Sequence, residues 1–252
     1  MRDVETRGLV LYSQNHKEKD KLVKIFTESF GKRMFFVKNA SKSRLTASLQ
    51  NFTSLDLSAT INDEGFSFIN DIGDVDVFRY LREDIFANAY ASYVVSLADA
   101  AVADNTYDPQ LYEFLIKTLE LLNEKIDKEI LTNIFELQIL SRFGASLNLT
   151  ECVICSRRDL PMDFSFSYGG CLCSEHFSRD PRRLHLDPNI LYLAGQFMEI
   201  SIETLEKISV SNDKKKQLRS FIDALYDEYV GIQTKAKKFL DGMEDWSDLI
   251  KN

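Results

Sequence analysis

The chain has 252 residues, 44% of them hydrophobic and 28% charged, with only 10 Gly and 4 Pro; collagen-like, linker-rich and disordered classes are excluded. No apolar run reaches the roughly 18 residues needed to span a bilayer; the nearest, AYASYVVSLADAAVA, is broken by Asp99. The net charge of -8 argues against a polyanion partner, but residues 1–50 hold 11 Lys+Arg against 5 Asp+Glu, and the remainder holds 20 against 34. A basic module on an acidic body binds polyanions locally whatever the total.

The N-terminus, MRDVETRGLV, lacks the apolar stretch of a secretion signal, so a cytoplasmic location is expected. Five short strand patterns then follow: RGLVLYS, DKLVKIFTESFG, KRMFFVKNA, TSLDLSATIND and GFSFINDIG. In the fourth, Leu55, Leu57, Ala59 and Ile61 recur at every second position, the period of a half-buried strand. Five such strands in about 75 residues suggest a small barrel or a sandwich. The OB-fold is the common five-stranded barrel that binds single strands. SRLTASLQNF, before the fourth strand, reads as a short helix or a loop.

From about residue 75 the period changes to that of helices. FRYLREDIFANAYASYVVSLADAAVA reads as one long helix. DPQLYEFLIKTLELLNEKI opens with Asp and Pro, an N-cap followed by a residue suited to the first turn. KEILTNIFELQILSRFG is stopped by Gly144. After an interruption near 150–178 the helical pattern resumes in DPNILYLAGQFMEISIETLEKI and DKKKQLRSFIDALYDEYVGIQTKAKKF. The last residues, GMEDWSDLIKN, read as a frayed or loosely docked tail.

The interruption holds all four cysteines: Cys152 and Cys155 in ECVIC, Cys171 and Cys173 in GGCLCSEHF, with His176 close behind. In a reducing compartment such clustering suggests a metal rather than disulfides. Zn²⁺ takes four thiolate or imidazole ligands in a tetrahedron. Cys171 with Cys173 is a pinched spacing, whereas Cys173 with His176 repeats the span of CVIC. That framing selects Cys152, Cys155, Cys173 and His176 as ligands of one structural Zn²⁺ and leaves Cys171 spare. Gly169 and Gly170 are expected to permit the second knuckle's turn. Four protein ligands leave no open position, so the metal would fold the segment rather than do chemistry.

No nucleotide-binding, hydrolase or zinc-protease motif is present, and His16 and His185 stand alone. GKRMFFVKNASKSR, residues 31–44, carries five cations and no acid. Cations beside an exposed aromatic ring are the usual means of holding a single strand. Adjacent strand residues face opposite ways, so one of Phe35 and Phe36 should enter the barrel. Burial of both, in the barrel or against the helical body, is the preferred reading.

The ordered set GLVLYSQNHKEKDKLVKIFTESFGKRMFFVKNASKSR, REDIFANAYASYVVSLADAA and RFGASLNLTECVIC with FSFSYGGCLC resembles the bacterial RecO family of recombination mediators over nearly the whole chain. One departure is that the family's last metal ligand is usually Cys, where this chain has His176. The resemblance implies an α+β protein: an OB-fold at residues 1–78, a helical domain at 79–150 and 179–252, and a zinc finger inserted at 151–178. It implies a non-enzymatic role in DNA repair and recombination near the nucleoid: binding single- and double-stranded DNA, annealing strands coated by single-strand-binding protein, and loading RecA together with RecR. DNA contacts carried onto this chain fall on Arg7, Lys32, Arg33, Lys38, Lys42 and Arg44, and Lys32→Glu with Arg33→Glu is expected to weaken binding without unfolding. The competing readings are a scaffold whose basic barrel docks an acidic partner, and a metal-dependent nucleic-acid enzyme.

Overall fold

A computed structural model describes residues 1–40, 43–205 and 208–251, with only the backbone described for Arg44 and residues 244–251. The chain forms two compact units, Met1–Lys128 with Gln233–Asn252, and Glu129–Ile232. These units cut the chain elsewhere than the expected boundaries at 78, 150 and 178.

The first unit begins with five strands: β1 (Arg2–His16), β2 (Asp20–Thr27), β3 (Gly31–Val37), β4 (Thr53–Ile61) and β5 (Phe68–Val77). They form one antiparallel sheet in the order β3-β2-β1-β4-β5. β1 is long enough to pair with β4 through its first half and β2 through its second, and its register shifts between Val10 and Tyr12. The sheet closes where Phe35 bridges Ser67 in parallel, with amide hydrogen bonds from Phe36 to Ser67 and from Ser67 to Met34. This is the OB-type barrel expected. Its interior holds the alternating residues read from the sequence: Leu55, Leu57, Ala59 and Ile61 on β4, with Val23, Ile25, Phe35 and Val37 facing them. SRLTASLQNF contributes a 3₁₀ turn at Arg44–Ala47, capped by the Ser43 hydroxyl accepting from the Leu45 amide.

The predicted long helix is two, α1 (Arg79–Glu83) and α2 (Ile85–Ala101). Asp84 is extended between them, and its carboxylate accepts from the Ala87 amide, so a capping side chain overrides a continuous apolar period. α2 buries residues on most of its circumference, the signature of a helix inside its unit. α3 (Pro109–Asn123) starts as predicted, with Asp108 accepting from the Leu111 amide. Its Tyr112 ring meets Phe26 of β2 edge-on at 5.6 Å. α7 (Lys235–Lys251) packs on α2 and stays helical through the segment read as a tail.

The second unit contains α4 (Lys128–Ile139), a three-stranded sheet, α5 (Pro188–Glu199) and α6 (Asn212–Tyr229). α4 begins at the unit boundary. The sheet runs β6 (Asn148–Cys152), β8 (Gly170–Cys173), β7 (Met162–Ser165), with β6 and β8 parallel. α5 stops nine residues before its pattern does: Gln138 donates to the carbonyls of Phe197 (2.9 Å) and Ile200 (2.8 Å), which satisfies the helix end. The last predicted helix also divides into α6 and α7, with Gly231 at φ +64 in the break. Buried Glu136 on α4 is paired with Arg219 of α6, whose guanidinium also donates to Asn133. Among the described residues no helix is long and apolar enough to cross a membrane.

Candidate metal centre and nucleic-acid face

The end of β6 delivers Cys152 into a tight turn that carries Cys155; the end of β8 delivers Cys173 into a second turn that carries His176. The first turn is closed by the Ser156 amide donating to the Cys152 carbonyl (2.8 Å), the second by the His176 amide donating to the Cys173 carbonyl (2.7 Å). The four side chains converge, and their donor atoms all lie within 4.8 Å of one another. Cys155 Sγ to Cys173 Sγ is 3.7 Å, Cys152 Sγ to His176 Nδ1 is 3.6 Å, and Cys173 Sγ to His176 Nδ1 is 3.2 Å. A zinc ion with Zn–S near 2.3 Å and Zn–N near 2.0 Å needs tetrahedral edges of about 3.8 Å between sulfurs and about 3.5 Å from sulfur to nitrogen. The donor set fits that ion.

The electrostatics also suit a cation. Burial alone would push the Cys152 thiol up, but the backbone amides of Cys173, Ile154 and Cys155 point at its sulfur and bring it down to about 6. Such amides favour the ligating thiolate at this one position, whereas burial raises the Cys173 thiol. Cys171 is the opposite case. It sits mid-strand opposite Phe164, outside the cluster, and burial first, with Cys152 and Asp163 beside it, holds its thiol at about 12. The expected glycine role is corrected here. Gly169, at φ +62, makes the β7–β8 turn, its amide bonding to the Phe166 carbonyl, while the knuckle from Cys173 to His176 contains no glycine.

The segment around the knuckles packs against α6 of its unit. Phe164 is wholly buried and meets Phe166 at 5.3 Å and Phe221 of α6 at 5.4 Å, both edge-on. Buried Asp163 accepts from the amides of Phe164, His185 and Leu186 and pairs with Arg183 at 2.9 Å. Outside, Arg157 links the knuckles, bonding Asp159 beyond the first and Glu175 within the second.

The basic stretch is arranged differently from its expectation. Lys32, only 1% exposed, and Lys24 both reach Asp99 near the end of α2 and Asp104 just beyond it. Lys24 lies 2.7 and 2.9 Å from the two carboxylates, Lys32 2.9 and 3.5 Å, and Lys32 also donates to the Asp99 carbonyl. The C-terminal carbonyls of a helix attract cations, so this position suits two ammonium groups. Arg33, also buried, donates to the carbonyls of Phe30 and Asn62 and pairs with Asp63 at 3.4 Å. Lys32 and Arg33 are therefore not surface cations. Lys32 is in the interior because the start of β3 lies under the 103–106 loop, whereas Arg33 is held by Phe30 and the 62–63 turn. Gly31, at φ +69, has the Thr106 backbone where a Cβ would stand, and the Asn105 amide donates to the Lys32 carbonyl.

Of the remaining residues assigned to DNA, Arg7 and Lys38 are exposed, Arg7 standing 3.7 Å from Asp56. Lys42 lies outside the described residues, and Arg44 is described only in its backbone. Phe35 fills the barrel, but Phe36 is half-exposed on the outer wall beside Phe66, Phe68 and His16 rather than packed on helices. Phe66 and Phe68 were read in the sequence only as part of a strand pattern, Asp99 only as a break in an apolar run, and Asp104 not at all. Only the Phe-Ser-Phe alternation marked the first two, and nothing local marked the acids as ion-pair partners.

Comparison with known proteins places this geometry. Residues 1–78 match the family model described as Recombination protein O N terminal, and residues 82–238 the one described as Recombination protein O C terminal. The chain is 62% identical over 251 residues to the DNA repair protein RecO of Lactococcus lactis subsp. lactis (strain IL1403), with all of both chains covered. It is 54% identical to the DNA repair protein RecO of Streptococcus suis (strain 05ZYH33), covering 96% of it, and 53% identical to that of Streptococcus pyogenes serotype M49 (strain NZ131), covering all of it.

Proposed function

The chain belongs to the RecO family, and from that premise we propose that it is a non-enzymatic mediator of DNA repair and recombination that binds single- and double-stranded DNA, anneals complementary strands and, with RecR, loads RecA onto DNA coated by single-strand-binding protein. The observation that carries this reading is full-length similarity to DNA repair proteins, combined with a closed OB-type barrel. Annealing requires two phosphate chains to approach, and protein cations lower their repulsion while releasing counterions. With Lys32 and Arg33 internal, that work falls to exposed cations such as Lys38 and, in the β1–β2 turn, Lys17 and Lys19.

Cys152, Cys155, Cys173 and His176 would hold one Zn²⁺, which when bound supplies folding energy to the knuckles and takes no part in a reaction, since all four positions come from protein. The test is fluorescence anisotropy of a labelled single-stranded oligonucleotide over a range of salt. The logarithm of affinity should fall linearly with the logarithm of salt, at about -0.7 per phosphate neutralised. Absence of binding at low salt would overturn the reading, as would failure of the protein to speed annealing of complementary oligonucleotides.

A further inference from the structure

The outer wall of the barrel carries a group of rings that the fold does not need. Phe36 comes from β3, Phe66 from the turn before β5, Phe68 from the first residue of β5, and His16 from the end of β1. Phe36 and Phe66 lie nearly parallel, at 24° with centroids 6.0 Å apart. Phe68 and His16 stand edge-on to Phe36 at 6.4 and 6.0 Å. Phe66 is 41% exposed and Phe68 39%.

Their orientation is inverted relative to ordinary burial. A half-buried strand puts its apolar residues inward, and a one-residue shift of register exchanges the faces. Here Ser67, between the two rings, is the buried residue; its hydroxyl accepts from the Asn62 amide and its backbone closes the barrel against β3. The seam therefore fixes Phe66 and Phe68 outward beside Phe36. The interior is already filled by Phe35 and the aliphatic residues around it. Large rings held in solvent by backbone pairing, in a contiguous patch, mark a surface that meets a partner.

We infer that His16, Phe36, Phe66 and Phe68 form a platform on which the bases of single-stranded DNA stack, an inference that rests on the DNA-binding reading above. Flat rings with open faces accept any base, because every base has a π-face. Exposed cations adjoin the platform in the chain: Lys38 opens the turn just after β3, two residues past Phe36, and Lys17 and Lys19 follow His16 in the β1–β2 turn. Of the nearby acids, Asp20 is engaged by the Asn39 amide and Asp63 by Arg33, while Glu18 and Glu64 are exposed. Duplex DNA, with its bases already stacked, would gain nothing from the rings, so the platform favours single strands.

The experiment uses the full-length Phe66→Leu/Phe68→Leu variant, an oligothymidine and an abasic oligomer of equal length, with anisotropy read at several salt concentrations. Wild type should bind oligothymidine at least about tenfold more tightly than the variant does, on the scale of base–aromatic stacking. Both proteins should bind the abasic oligomer equally, with the same salt slope, because no phosphate contact has been removed. Equal affinity of both proteins for oligothymidine would overturn the platform and leave an apolar protein segment as the occupant of the rings. An equal loss on the abasic oligomer would also overturn it, since the substitutions would then have acted on the fold or the phosphate contacts. Wild type that binds neither oligomer at low salt would instead overturn the DNA-binding reading itself.

Discussion

Replacing Lys32 by Met should destabilise the first unit rather than trim a DNA contact. The Lys32 side chain is 1% exposed, and its ammonium lies 2.9 Å from Asp99 and 3.5 Å from Asp104. Methionine keeps the apolar stem and removes only the charge. Breaking a buried ion pair costs about 3–5 kcal/mol, because the abandoned partner stays desolvated. Here the acids are 26% and 53% exposed and Lys24 remains with them, so the cost should sit near the lower end, about 3 kcal/mol. For a unit of this size that lowers the melting midpoint by roughly 6–12 °C. The assay is thermal or urea unfolding at neutral pH, beside Lys38→Ala, whose exposed side chain should leave stability within about 0.5 kcal/mol. DNA affinity measured well below both transitions should change for Lys38→Ala, with a shallower salt slope, and not for Lys32→Met. A Lys32→Met protein as stable as wild type, but with weaker and less salt-sensitive DNA binding, would refute the internal placement of this lysine. The expectation that Lys32→Glu with Arg33→Glu spares the fold is withdrawn on the same grounds, since both substitutions would put carboxylates into buried cation sites.

Two further outcomes follow from the same geometry. Metal analysis should find about one zinc per chain in wild type and Cys171→Ala, with loss in Cys173→Ala and retention in His176→Cys, where a thiolate replaces the imidazole; loss in Cys171→Ala would show that the ligand set is wrong. The Lys24–Asp104 pair should also shape the pH profile. Burial pushes Asp104 up, but the Lys24 ammonium outweighs it and holds the carboxyl below its usual range, so its contribution is present above about pH 4 and is lost as pH falls through the folded value. Burial lowers Lys24, but Asp99 and Asp104 outweigh it and raise it, so its contribution is present below about pH 10.4 and is lost as pH rises through the folded value. Unfolding midpoints of wild type and Asp104→Asn should therefore differ between these limits and converge in acid; a constant difference down to the lowest pH would remove this pair from the account.

Much of the architecture was legible because it is written in local periods. The alternation of Leu55, Leu57, Ala59 and Ile61 is a strand signal whatever surrounds it, and Asp108 with Pro109 starts a helix in any context. Element ends were less legible. Asp84 breaks a continuous apolar period by capping, and Gln138 ends α5 from 59 residues away. The Cys152, Cys155, Cys173 and His176 cluster was readable because a tetrahedral ion would constrain spacing within two short turns, which favoured Cys173 and His176 over Cys171 before any fold was known.

The sequence by itself determined a basic first fifty residues, five strands, a mainly helical body and a four-ligand cluster, since composition, period and knuckle spacing are properties of short stretches. Only the tertiary structure decided which cations and which rings reach solvent. Lys32 and Lys38 are chemically alike and six residues apart, yet one lies under a loop beside Asp99 and Asp104 while the other meets water. Phe35 and Phe36 are neighbours, and the seam with Ser67 sends one inward and sets the other beside Phe66 and Phe68. Burial depends on register and on what packs above a strand, and both are set by residues far away in the chain.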